Sequence, residues 1–207
     1  MYIPKDNRVS LATAQALLQR YDFGALVSAQ DRVPTASHVP FLYRKEGGPL
    51  GSVSAHLARA NPQAEALKSA PEILLIAQGP HGYVSPSWYT EHPSVPTWNY
   101  VAVHVTGRAR IVSDPFHVRS ILAALVDRYE SGREKPWKMD LPEAYLQGML
   151  RGIVAFEVEI TSIEGKLKLS QNRTLEEQES VILGLEESGD PVAKDLAALM
   201  REHQGSP

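Results

Sequence analysis

Three stretches of this chain carry side chains able to hold a ligand, and no residue announces itself as a nucleophile. The first is His56-Leu-Ala-Arg-Ala-Asn-Pro-Gln63. Asn61 suits an N-cap and Pro62 the first helical position, so a helix should start there with its N–H groups and positive dipole end open to an anion. Arg59 could add a charge-assisted fork to a phosphate, and His56 a further donor. The same residues read equally well as a plain cap beside a solvated loop charge. The second stretch, Gly165-Lys-Leu-Lys-Leu-Ser-Gln-Asn-Arg173, gathers Lys166, Lys168 and Arg173 around Ser170, Gln171 and Asn172. That donor set suits a phosphate or a heterocycle edge, or else is a basic strand end. The third runs from Gly79 to Val112 and holds two of the three tryptophans and three of the eight tyrosines. It reads as an aromatic loop leading into a long strand, placed either to grip a planar ligand or to plug a barrel.

The absence of cysteine removes disulfides, thiol catalysis and thiolate metal sites together. No Gly-rich phosphate loop, Gly-x-Ser-x-Gly elbow or paired-histidine zinc spacing is present, so no metal site is expected. What remains is a binding inventory, suited to a cofactor that brings its own chemistry. A formal net charge of −3 supplies no general field for nucleic acid. No apolar run reaches membrane-spanning length, and the opening Met1-Tyr-Ile-Pro-Lys5 lacks signal-peptide architecture, so a cytoplasmic protein without membrane attachment is expected.

The elements that must position these groups follow from periodicity. Alternation marks strands near 25–29, 34–44, 50–55, 72–78, 100–111 and 153–163, with a turn at Gln30-Asp-Arg32. Pro34 and Pro40 argue for an edge or bulged position of the second strand. Helical spacing and caps mark 11–20, 62–68, a long helix after Asp114-Pro115, a short one over 142–151, and two tail helices after Thr174 and Asp190-Pro191. Seven or so strands with short turns and a few helices predict a mainly β, α+β chain: a closed or Greek-key-like barrel with peripheral helices and a C-terminal helical hairpin. The tail invites a helix-turn-helix reading, but Glu176, Glu177, Glu179, Glu186, Glu187 and Asp190 would repel phosphates.

Seven blocks in order carry a resemblance: Met-Tyr-Ile-Pro-Lys5, His56–Pro62, Gln78-Gly-Pro80, Tyr83–Tyr89, Val95–Tyr100, His104–Arg108 and Gly165–Asn172. Together they resemble the PaiB family. The resemblance implies an FMN-binding split β-barrel, similar to the pyridoxamine-phosphate oxidase group. It also implies a homodimer with flavin at the subunit interface and a role as negative transcriptional regulator of protease and sporulation genes. Carried over by position, it places the FMN phosphate near Ser54, His56, Arg59 and Asn61. The ring falls near Trp88, Trp98 and Asn99, and Lys168, Ser170 and Gln171 complete the pocket. Residues 1–173 then form the barrel domain and 174–207 a helical extension on the barrel or dimer interface. A flavin-dependent oxidoreductase and a haem-binding split barrel are the alternatives, and direct DNA contact is possible but unsupported by charge.

Overall fold

The computed structural model describes residues 1–30 and 33–204. Six strands are described: β1 (Phe23–Gln30), β2 (Val33–Arg44), β3 (Ser52–Ala58), β4 (Glu72–Val84), β5 (Thr97–Val112) and β6 (Ile153–Lys168). They close into a barrel in the order β1-β2-β3-β6-β5-β4. Six helices accompany them: α1 (Leu11–Arg20), α2 (Pro62–Ser69), α3 (Pro115–Glu130), α4 (Glu143–Arg151), α5 (Leu175–Glu187) and α6 (Pro191–His203). Of the turn expected at Gln30-Asp-Arg32, Asp31 and Arg32 lie outside the described residues. Among the described residues, no helix is long and apolar enough to cross a membrane.

The chain divides into two compact units. One comprises Leu18–Ala77 and His104–Ile163, the other Met1–Leu17, Gln78–Val103 and Glu164–Pro207. In the first, β1 pairs antiparallel with β2 from Phe23↔Pro40 to Gln30↔Val33 and with β4 from Gly24↔Ala77 to Ser28↔Ile73. β3 pairs antiparallel with β2 and β6, setting Ser54 opposite Glu157 and His56 opposite Ala155. Leu26, Phe41, Val53, Val105, Phe156 and Val158 point inward as the period-2 pattern requires. The β2–β3 register begins at Phe41, so Pro34 and Pro40, which cannot donate to a ladder, both lie outside it. Gly107 of β5 has no room for a side chain, since a Cβ there would overlap the carbonyl oxygen of Glu159.

In the second unit the sequence-based boundaries need revision. The aromatic stretch does not begin as a loop: Gly79–Val84 continues β4, followed by one 3-10 turn at Pro86–Trp88. Pro80 and Gly82 hid the strand pattern. Gly82 is there because Leu185 of α5 and Leu196 of α6 come down onto it, and a Cβ would meet both. β6 likewise runs past 163 to Lys168. Among the described residues there are six strands rather than seven or so, one for each of the six ranges that alternation marks. Val181, Ile182 and Leu185 of α5 and Leu196, Leu199 and Met200 of α6 form the hairpin's buried stripe. Arg201 closes it through Glu179 and Glu186.

Candidate functional site

In the first unit the site is built along β3 and the start of α2. Ser54 and His56 are two residues apart and so share one face of β3. Ser54 is buried, and its hydroxyl lies 3.4 Å from Glu157 Oε1; that oxygen also lies 3.1 Å from His117 Nε2. Burial lowers the His56 imidazole below its ordinary pKa of 6.5, and its Nδ1 is buried without a hydrogen-bond partner. Arg59 follows: its Nε donates to the Arg151 carbonyl at 2.6 Å and its Nη2 to the Ile153 carbonyl at 2.6 Å. The guanidinium thus ties the end of β3 to the junction of α4 and β6.

Asn61 caps α2 as the sequence predicts, and the cap has a consequence the sequence hides. Its side-chain oxygen accepts from Gln63 N and its carbonyl from Ala64 N, so first-turn donors expected to await an anion are already engaged. Asn61 Nδ2 donates to Ser37 Oγ at 2.8 Å. Gln63 is buried, with Nε2 donating to the Leu26 carbonyl and to Ser28 Oγ. An anion here would therefore be held by side chains and the helix dipole more than by free backbone N–H groups.

A cleft of about 290 Å³ opens beside Arg59, between the ends of α2, α4, β5 and β6. Lys68, Arg151, Ser113 and Gln147 line it with Arg59. The sequence reading passed over Lys68 and Arg151, because each is the last cation of an ordinary helix and nothing in its neighbours marks it.

In the second unit the remaining candidates form two clusters. Trp98 is 52% exposed and packs with His81, ring centroids 5.8 Å apart, and edge-on with Tyr83 at 6.3 Å. This is an open aromatic face. Trp88 instead lies flat on α5 at Gly184, where any Cβ would overlap its indole. Asn99 is fully buried; Nδ2 donates to Ser170 Oγ at 2.9 Å, and Oδ1 has no partner. Ser170 itself sits at φ 61, a left-handed conformation unusual for serine, and its hydroxyl is held by Asn99.

Lys168 Nζ donates to Thr97 Oγ1 and, at 2.7 Å, to the Trp98 carbonyl. Burial lowers its pKa from the ordinary lysine value; Tyr100 raises it and Lys166 lowers it further. Lys166, unlike the partly exposed Lys168, is buried and sits over the Tyr100 ring at 4.9 Å. Gln171 closes a small ring on its own strand end, accepting from Leu169 N and donating to the Leu167 carbonyl. So Asn99 with Ser170, and Lys168 with Trp98, are brought together from about seventy residues apart, while the Ser54–Asn61 group is assembled by local sequence. Among the described residues, no group of three or more His, Asp or Glu is placed to hold a metal.

The family described as "Putative FMN-binding domain" matches residues 1–162. The "Protease synthase and sporulation protein PAI 2" of Bacillus subtilis (strain 168) is 35% identical over 204 residues, covering 98% of this chain and 97% of that one. The chain belongs to the PaiB family. Solved structures agree on the fold. The FAD and heme binding protein from Mycobacterium smegmatis superposes with a TM-score of 0.57 at 19% identity, over 77% of this chain and 71% of that one. The flavocytochrome Anf3 from Azotobacter vinelandii gives 0.56 at 19% identity, over 80% and 68%. The architecture is that of split-barrel flavoproteins, and PaiB-family membership brings FMN as the cofactor.

The residues fit such a group. His56 Nδ1 is a buried polar atom lacking a partner, a state that native structures normally resolve with a ligand or water. Arg59 and the capped start of α2 lie within five residues of it, with Arg59 Nε and Nη2 on backbone carbonyls and the first-turn N–H groups of Gln63 and Ala64 on Asn61.

Proposed function

We propose that this PaiB-family protein holds FMN with its phosphate against the end of β3 and the start of α2, works as a homodimer with flavin at the subunit interface, and acts as a negative regulator of transcription. The observation that carries the flavin reading is the run Ser54, His56, Arg59, Asn61, which combines an unpartnered buried imidazole nitrogen with a guanidinium and a helix start. In this reading His56 donates to a phosphate oxygen, Arg59 faces the phosphate charge, and Asn61 keeps α2 in register. The Trp98 face, flanked by His81 and Tyr83, has the aromatic surface that a planar ring system stacks on. Lys168, Ser170, Gln171 and Asn99 shape the strand end beside Trp98, and Trp88 walls it from α5. In the same reading residues 174–207 make up a C-terminal extension, whose α5 and α6 bury an apolar stripe between them. Bound FMN supplies one- and two-electron redox chemistry; the side chains proposed here bind and orient it.

The regulatory reading is supported by the name of the Bacillus subtilis relative. It does not require the chain to read DNA itself, and the acidic tail opposes that role. Titrating flavin-free protein with FMN tests the flavin reading: saturable quenching of flavin fluorescence supports it, and no binding sinks it. A mobility shift that survives physiological salt would show direct DNA contact.

A further inference from the structure

The cleft beside Arg59 has a floor unlike that of a phosphate site. Ile111, Val112, Val118, Leu150, Val154 and Ala155 give it an aliphatic base. Part of this base is continuous with the small core cluster of Ile121, Leu125 and Ala155, against which Val112 and Val118 pack. The rim is cationic: Arg59, Lys68 and Arg151 line it, and among the described residues no Asp or Glu does. These three cations differ in availability. Arg59 is engaged with two carbonyls, and Lys68 is paired with Glu65 at 2.6 Å. Arg151 has no carboxylate partner among the described residues.

We infer that this cleft is a binding site for an amphipathic organic monocarboxylate, with its hydrocarbon body on the aliphatic floor and its carboxylate on the Arg151 guanidinium. A single free fork matches one carboxylate in bidentate geometry. A volume of about 290 Å³ lies at the small end of ligand pockets and suits a short chain or one ring. Apolar burial would drive binding, and the rim charge would set its sign preference. The cleft shares Arg59 with the proposed phosphate run, but Lys68, Arg151 and the aliphatic floor lie outside that run, so octanoate binding can be read with and without FMN.

Calorimetric titration of the full chain with octanoate, with and without saturating FMN, tests it. One octanoate should bind per chain under both conditions, while octylamine should not. Arg151→Glu should weaken octanoate binding about tenfold or more, the effect of losing one charge-assisted contact. Arg151→Lys, which keeps the charge but loses the bidentate fork, should bind between wild type and Arg151→Glu, and Val112→Trp, which fills the floor, should remove binding while far-ultraviolet dichroism shows the fold intact. No octanoate binding, equal binding of octylamine, or unchanged affinity in both Arg151→Glu and Val112→Trp would overturn the site. Loss of octanoate binding on FMN addition would assign the cleft to the flavin and overturn it as a separate site. Failure of FMN to bind, with octanoate binding intact, would count against the flavin proposal alone.

Discussion

The Ser54–Asn61 segment and the Asn99–Gln171 cluster hold similar inventories of donors, yet they use them differently. In the second, the donors already have protein partners, Lys168 on Thr97 and the Trp98 carbonyl, Gln171 on its own backbone and Asn99 Nδ2 on Ser170, and the one orphan is an acceptor, Asn99 Oδ1. In the first, Arg59 uses two donors on carbonyls, but His56 keeps a buried nitrogen without a partner. A donor already engaged stabilises the fold, and only an unengaged one can be exchanged for a ligand at low cost. The contrast teaches that a donor-rich sequence is a poor measure of donor availability.

Substitutions can break this comparison. Arg59→Ala should weaken FMN by about 1.5–3 kcal/mol, one charge-assisted contact; an unchanged dissociation constant in a fluorescence titration would move the phosphate elsewhere. Asn99→Leu should act on the fold instead, costing about 1–3 kcal/mol in urea unfolding because the Ser170 hydroxyl loses its buried partner. If it removed FMN binding and left stability untouched, the two clusters would have exchanged roles. Trp98→Ala should lower flavin affinity by about 0.5–1.5 kcal/mol, the scale of one aromatic contact, with little change in the unfolding midpoint of this half-exposed residue.

The smallest effect concerns pH. Burial holds the folded-state His56 pKa below its ordinary 6.5, so the unfolded chain binds the proton more readily. His56 therefore costs no stability above pH 6.5, and stability falls as pH drops from there toward the lowered folded value. His56→Gln should flatten that slope in thermal melts across pH 7 to 5. FMN should lessen it as well if its phosphate accepts from the imidazole, and an identical slope with and without FMN would argue against that contact.

Much of the fold was legible because its signals are local. Asn61-Pro62, Asp114-Pro115, Thr174 and Asp190-Pro191 each cap a helix within two or three residues, and all four helices start where those caps stand. The strand over Gly79–Val84 was not legible, because Pro80 and Gly82 suppress the alternation. Gly82 answers to Leu185 and Leu196, more than a hundred residues away in sequence. Lys68 and Arg151 escaped for the same reason: each is an ordinary helix-terminal cation until the barrel brings α2 and α4 to one cleft.

The sequence by itself determined the family, the helix starts, and the chemical identity of the groups along Gly79–Val112, His56–Gln63 and Gly165–Arg173. It did so because capping, alternation and motif order act over a few residues. Which of those groups remain open to a ligand was decided only by tertiary structure. Arg59 meets the carbonyls of Arg151 and Ile153, and Asn99 meets Ser170, across separations that no local pattern encodes. Hydrogen-bond partners are chosen by approach in space, so the sequence named the donors and the fold determined which were engaged.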